Sequence, residues 1–306
     1  MPELPEVESV VRSLNMIIKW RRIEAVDVHE TGVRALGGYS PTLLSEKLHL
    51  QVFRMVERRG KFIIFHLVDN PSLKVVAHLR MTGGFFYQKD GINSNLLNLN
   101  SYINTSNQKV HKLSSLVSNK IPDSKYYRIR IKLDIGELIF TDKRRFGTFH
   151  VVENLENYPG LQRLGVEAIA PGFTASYLLK RLLNKTKPIY NSLLDQSIVA
   201  GVGNIYACEA LIRARLHPLQ PSGSVSAGQL AKLVAGLKKI LELAILSNGT
   251  TFSDFKGVGG EKGEFQGQLL VYGKTTADLD GRHYKVAKLK ISGRNAHYIP
   301  ELQILK

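Results

Sequence analysis

Residues 200–206 read AGVGNIY, and how this stretch is taken decides the fold. Two glycines one residue apart, opening a helix-like run, begin a dinucleotide-binding fingerprint and would make the chain a doubly wound α/β protein. The third glycine is missing, because Tyr206 stands in its place. The preceding segment, PIYNSLLDQ at 188–196, has a helical pattern where the fingerprint needs a strand. The nucleotide reading is therefore rejected. Backbone N–H groups at the positive end of a helix remain, with Asn204 as an added donor, and these suit either a phosphate or a plain helix cap.

Outward from this stretch the chain divides by texture. Val7, Val10, Val11, Leu14 and Ile17 recur at spacings of three and four, which predicts one amphipathic helix over 3–17. From about 20 to 155 the runs become short and β-rich: LQVFRMV, KFIIFHLV, LKVVAHLRMTGGFFYQ, YYRIRIKLD and ELIFTD, punctuated by Gly, Asp, Asn or Pro. They predict an antiparallel sandwich or barrel with the helix packed on it. Asn and Ser crowd residues 91–124, read as part of a flexible insertion at about 88–124. From 157 to 248 the period is helical. A Gly-rich stretch, DFKGVGGEKGEFQGQ, follows, then two strand-like pieces, LLVYG and YKVAKLKISG. The expected class is α+β, with domains at 1–155, 156–250 and 251–306.

Composition narrows the function. Lys and Arg number 42 against 26 Asp and Glu, a formal net charge of +16, which favours a polyanionic partner over a merely soluble basic surface. The single cysteine, Cys208, excludes an internal disulfide or a thiolate cluster and fits a reducing cytoplasm. No apolar run approaches a membrane span, and no secretory pattern opens the chain.

Several local features could carry chemistry. The opening MPELPEVE has a small second residue, so trimming of Met1 would leave Pro2 with a free secondary amine able to attack an electrophilic carbon. A proline at the first turn of a helix has the same signature. ERRGKF places Arg58, Arg59 and Lys61 before a strand, and TDKRRFG places Lys143, Arg144, Arg145 and Phe146 in a turn. An aromatic beside paired arginines suits a wedge flanked by phosphate anchors, although basic clusters are commonly just solvated surface. HLRMTG adds His78 and Met81, the latter equally readable as core filler.

Taken in order, MPELPEVE, HLRMTG, TDKRRFG, LLDQSIVAGVGNIYACEALIRARLHP and GRNAHYIPELQ resemble the formamidopyrimidine-DNA glycosylases nearly end to end, failing mainly in the 88–124 insertion. Leu4 matches that group rather than the related endonuclease VIII proteins, which typically carry glycine there. The resemblance implies an N-terminal helix plus β-sandwich, a helix–two-turn–helix domain and a C-terminal β-hairpin finger. It implies a bifunctional glycosylase and AP lyase of base-excision repair acting on 8-oxoguanine and formamidopyrimidines in double-stranded DNA, expected as a monomer.

By the same resemblance Pro2 is the nucleophile, Glu3 a proton donor, and Lys61 a lysine acting at the damaged nucleotide. Arg294 is the finger arginine that grips phosphates and assists the second elimination. Met81, Arg144 and Phe146 fill the space left by the flipped base, and Asn204 binds phosphate. Arg128, where these enzymes usually have histidine, and Lys185 are further DNA contacts, and a loop around 254–267 covers the flipped purine. Glu6, one helical turn from Glu3, either tunes it or merely favours the helix dipole. The family's finger commonly holds zinc through four cysteines, but here those places read Ala277, Asp280, Ile299 and Leu302. A zincless finger without a cofactor is expected, its interior formed by Val286, Leu289, Ile291, Tyr298, Ile299 and Leu302. Two other readings stay open: an endonuclease VIII-like preference for oxidised pyrimidines, and a catalytically silent protein that binds bent DNA.

Overall fold

The computed structural model describes residues 1–89, 122–251, 257–258 and 263–305, so most of the 88–124 insertion and much of the 254–267 loop lie outside the described residues. The N-terminal half runs α1 (Leu4–Ile18), β1 (Ile23–Val28), α2 (Pro41–Leu48), β2 (Phe53–Arg59), β3 (Phe62–Leu67), β4 (Lys74–His78), β5 (Gly83–Gln88), β6 (Tyr127–Leu133), β7 (Glu137–Asp142) and β8 (Thr148–Val152). These strands form two antiparallel four-stranded sheets, β1-β6-β7-β5 and β2-β3-β4-β8. Between them lies a core rich in aromatics, where Phe65, Phe85, Phe140 and Phe149 pack ring against ring at 5.1–6.5 Å. Helix α2 falls in the stretch read as all β. Its start was nonetheless written in the sequence, since the Ser40 hydroxyl accepts the Leu43 N–H at 3.1 Å and Pro41 occupies the first helical turn.

The second half runs α3 (Pro159–Gln162), β9 (Val166–Glu167), α4 (Ala175–Leu182), α5 (Ile189–Leu194), β10 (Val199–Ala200), α6 (Asn204–Arg213) and α7 (Ala227–Leu246), then β11 (Thr276–Leu279), β12 (Arg282–Lys285), β13 (Ala287–Ile291) and β14 (Arg294–Tyr298). The last four strands pair as two hairpins, β11 with β12 and β13 with β14. No helix among the described residues is long and apolar enough to cross a membrane.

Helix α1 joins the two halves. Leu4 is fully buried in the helical core, whereas Val7, Val10, Val11 and Leu14 enter the sandwich core. Burying each such side chain contributes roughly 1.5–3 kcal/mol, so the N-terminus is anchored from both sides.

Two expectations for the finger need correction. LLVYG is not a strand, because the N–H groups of Leu270, Val271 and Tyr272 all converge on the buried Glu209 carboxylate at 2.8–3.0 Å. An extended strand points successive N–H groups to opposite sides and cannot do this. Nor do the finger's apolar side chains form a separate interior. Val286, Ile291 and Ile299 are buried within the helical core itself, with Leu289 and Leu302 packed against it, while Tyr298 sets its ring edge-on to His217 at 5.0 Å.

Candidate active site

The site is assembled where the N-terminus meets the turn between β10 and α6. The Leu4 N–H donates to the Gly201 carbonyl at 3.0 Å. A Cβ on Gly201 would lie 2.6 Å from Leu4 Cδ1, and one on Gly203 would lie 2.4 Å from the Glu3 carboxyl carbon. The glycines of AGVGNIY thus admit the chain's own N-terminal residues, in the place where a fingerprint would admit a pyrophosphate.

Pro2 is buried beside Met1, which is half exposed. Glu3, 3% exposed, turns its carboxylate onto the start of α6, accepting the Ile205 N–H at 2.9 Å and the Tyr206 N–H at 3.4 Å. Burial pushes its pKa up to about 7 against the opposing pull of Lys61 and with further help from the Glu6 charge. Such an acid holds its proton near neutrality and can release it. Lys61, equally buried, donates from Nζ to the Val202 carbonyl at 2.8 Å. Burial lowers its pKa, Glu3 opposes this, and the Arg294 charge adds to the lowering, so the finger arginine reaches electrostatically into the same site.

Glu6 is occupied on every side. Its carboxylate accepts the Glu3 N–H at 2.8 Å, the Tyr206 hydroxyl at 2.7 Å and the Thr250 N–H at 2.7 Å. It ties α1, α6 and the end of α7 together behind Glu3, and burial raises its pKa as well. Sequence spacing could pair Glu6 with Glu3, but Tyr206 and Thr250 carry no local signal of this role.

The loop before Lys61 is held by a clamp. Arg58, its side chain 7% exposed, pairs with Glu8 at 2.9 Å and Glu167 at 2.6 Å, and Arg59 pairs with Glu167 at 2.7 Å. The paired arginines of ERRGKF therefore join the sandwich to the helical half.

The wedge candidates lie together. Phe62 pairs with His78 across β3 and β4, so the turn bearing Met81 leaves the sheet beside Lys61. Buried His78, its pKa driven down to about 3 by burial, stays neutral and accepts the Arg80 N–H at 2.9 Å. Asp142 ties this turn to the next. It accepts the Thr82 hydroxyl, the Arg144 N–H at 3.0 Å and the Gly147 N–H at 2.7 Å. Arg144 then touches Met81 Sδ at 3.0 Å and lies 5.1 Å from the centre of the Phe146 ring. Met81 and Phe146 are 45% and 43% exposed, which rules out core filling. Arg34, unremarked in the sequence, stands over the other approach to Phe146 at 5.7 Å.

Arg128 departs from expectation. It is 2% exposed, and its guanidinium donates to the carbonyls of Asp142, Lys125 and Tyr127 and to Thr31 Oγ1 at 2.7–3.1 Å. The long side chain reaches inward and braces the turn that carries Arg144 and Phe146 from beneath.

Across the site, Asn204 opens α6. Its Oδ1 accepts the Tyr190 hydroxyl at 2.6 Å, and its Nδ2 donates to the Asn295 carbonyl at 3.2 Å, next to Arg294. Lys185 is exposed in the loop between α4 and α5. The four places where related fingers carry zinc ligands do not suit a metal. Ala277 and Ile299 are buried among apolar groups, Leu302 packs against them, and Asp280 pairs with Arg215 at 2.6 Å. Among the described residues no group of three or more His, Cys, Asp or Glu side chains could hold a metal ion.

Known proteins resemble this chain along nearly its whole length. Residues 1–149 match the formamidopyrimidine-DNA glycosylase N-terminal domain and residues 164–256 match the H2TH domain of the same enzymes. The formamidopyrimidine-DNA glycosylase of Desulfitobacterium hafniense is 35% identical over 306 residues, covering 99% of this chain and all of the relative. That of Synechococcus is 34% identical over 312 residues, covering 99% of each. Lactococcus lactis Fpg bound to DNA containing an abasic site superposes with a TM-score of 0.81 at 27% identity, covering 99% of both chains. MutM in complex with DNA containing carbocyclic 8-oxo-G superposes with a TM-score of 0.80 at 27% identity, covering 99% of this chain and all of that one. With its buried Pro-Glu start seated on helix α6, the chain belongs to the formamidopyrimidine-DNA glycosylase family of base-excision repair enzymes.

Proposed function

We propose that this DNA glycosylase excises oxidised purines from double-stranded DNA and cleaves the strand through an iminium formed at Pro2. The observation that carries the reading is the seat of Pro2 and Glu3: a buried carboxyl with a pKa near 7, set between Lys61 and the first turn of α6. A protein that only bound bent DNA would have no use for a proton donor of this kind beside a secondary amine.

Removal of Met1 frees the Pro2 nitrogen. A damaged nucleotide must leave the stack before its C1′ can be reached, and Met81, Arg144 and Phe146 occupy the vacated space. The Pro2 lone pair forms the bond to C1′ as the bond to the base breaks, and the base leaves with the bonding electrons and takes up the proton that the Pro2 nitrogen sheds. Glu3 protonates O4′ as the sugar ring opens, giving the iminium. The cationic nitrogen then draws electron density from C2′, so a C2′ proton is lost and the 3′ phosphate departs. A second proton loss, at C4′, expels the 5′ phosphate, with Arg294 beside the departing group. Asn204 and Lys185 hold the backbone on the helical side.

Borohydride reduction during turnover of duplex DNA bearing 8-oxoguanine opposite cytosine is expected to trap a covalent adduct that maps to Pro2. Intact-mass measurement should show Met1 absent. Substitution of Pro2→Gly should remove most of the trapping, and an adduct mapped to a lysine would reject the assignment. Faster excision of oxidised pyrimidines than of 8-oxoguanine would move the substrate class to the endonuclease VIII-like alternative.

A further inference from the structure

Arg294 follows a two-residue turn. Ile291 pairs with Arg294 across the β13–β14 hairpin, and the intervening Ser292 and Gly293 both have positive φ, 47° and 79°. This is the turn that matches the twist of a hairpin, and its first position favours Asn, Asp or Gly. A serine there costs about 1–2 kcal/mol of left-handed strain. The serine is held from outside the finger, because Asn191 on α5 donates from Nδ2 to Ser292 Oγ at 2.8 Å. On the other side of Arg294, Asn204 holds the Asn295 carbonyl at 3.2 Å. Two side-chain amides, one from α5 and one from the start of α6, therefore bracket the arginine.

The Asn191 amide is not explained by packing. Its Oδ1 is buried and has no hydrogen-bond partner among the described residues, a deficit that costs roughly 1–3 kcal/mol. An apolar side chain would fill the same space without that cost, so the amide is kept for its N–H end and for what that end holds. In a finger whose side chains offer no zinc set, a latch on the turn supplies the orientation that a metal would otherwise impose at the hairpin's base.

We propose that Asn191 is a positioning residue: its bond to Ser292, acting with Asn204 on Asn295, fixes the turn so that the Arg294 guanidinium meets the DNA phosphate at the second elimination. The proposal rests on the reading of Arg294 given above. It predicts a defect confined to the late step, since Pro2, Glu3 and Lys61 are held by α1, α6 and β3 and do not depend on the turn.

The test uses the full-length protein and three variants, Asn191→Ala, Ser292→Ala and Arg294→Ala, on duplex DNA carrying 8-oxoguanine. Single-turnover base removal is measured beside the ratio of δ- to β-elimination products. Asn191→Ala and Ser292→Ala should each lower that ratio severalfold with base removal within about twofold of the parent. Combining them should add little, because both remove one shared bond. Ser292→Ala deletes only a hydroxyl on an exposed turn, so it reads the latch even if Asn191→Ala fails to fold. An unchanged product ratio in Ser292→Ala, with Arg294→Ala strongly shifted, overturns the latch and leaves the arginine's role standing. An unchanged ratio in Arg294→Ala removes that role, and the positioning proposal falls with it.

Discussion

At the scale of single residues, the site works by burying acids beside a short list of donors. The Glu3 pKa of about 7 in the folded protein compares with about 4.5 for the free side chain. Between these values the native state holds a proton that the unfolded chain has lost, so stability falls as pH rises through this window. The shift corresponds to about 3 kcal/mol lost by pH 8 relative to pH 4. Glu3→Gln cannot ionise, so its stability relative to the parent should rise by about that amount across the same window, read by denaturant unfolding at several pH values. The same variant should lose base excision by two or more orders of magnitude, because no proton can be supplied to the opening sugar. A stability difference independent of pH would mean that Glu3 is charged throughout. Gly203 provides a steric counterpart. A methyl there would sit 2.4 Å from the Glu3 carboxyl carbon, and its backbone otherwise tolerates any side chain, since φ is −134°. Gly203→Ala is therefore expected to displace Glu3, costing about 1–3 kcal/mol and most of the excision rate. Single-turnover kinetics with thermal unfolding would show whether activity falls further than stability alone explains.

At the scale of elements, the finger is held by apolar packing and by polar contacts to the helical half. Its buried side chains extend the helical core, and polar contacts anchor the rest. The His297 N–H meets Cys208 Sγ at 3.3 Å, Gln303 donates to the Leu216 carbonyl at 2.6 Å, and Asp280 pairs with Arg215. Ile299 has no exposed surface, and Ile299→Ala should cost about 2–5 kcal/mol, with strand cleavage weakened more than borohydride trapping. Strong chelators should leave both activities unchanged, whereas inactivation by chelator with rescue by zinc would contradict this account of the finger. The hairpins also mark the limit of what the sequence discloses. The strand character of YKVAKLKISG was legible because alternation is local, but the single piece divides between β12 and β13 and ends in the Ser292–Gly293 turn, which the alternation did not mark. LLVYG was misread because its conformation is imposed by Glu209, 61 residues or more away along the chain. The opening residues and ERRGKF brought Pro2 and Lys61 to notice, and the family resemblance added Glu3, but the closure of Glu6 by Tyr206 and Thr250, and of Arg58 by Glu167, depends on contacts that no periodicity encodes.

Across the whole molecule, positive charge is divided between holding the protein together and meeting DNA. The chain carries 42 Lys and Arg side chains, yet those singled out by composition are not equivalent. Arg58 and Arg128 are engaged internally with carboxylates or carbonyls, whereas Arg144 stands with exposed Met81 and Phe146 at the proposed wedge. Phosphate contacts release counterions, so each one steepens the decline of log affinity with log salt by about 0.9. Arg144→Ala should weaken binding to lesion duplex and flatten this slope by about one contact, while cleavage of a preformed abasic site survives at high enzyme concentration. Arg128→Ala should instead lower stability, because the wedge turn loses its brace, and the folded fraction should keep the parent slope. Phe146→Ala should weaken lesion binding without altering the slope, since it removes void filling and no charge. Anisotropy titrations between 50 and 200 mM salt separate these outcomes, a range over which a few phosphate contacts alter affinity by orders of magnitude. Equal slopes for Arg144→Ala and the parent would remove Arg144 from the DNA interface, and a flattened slope in Arg128→Ala would return Arg128 to it.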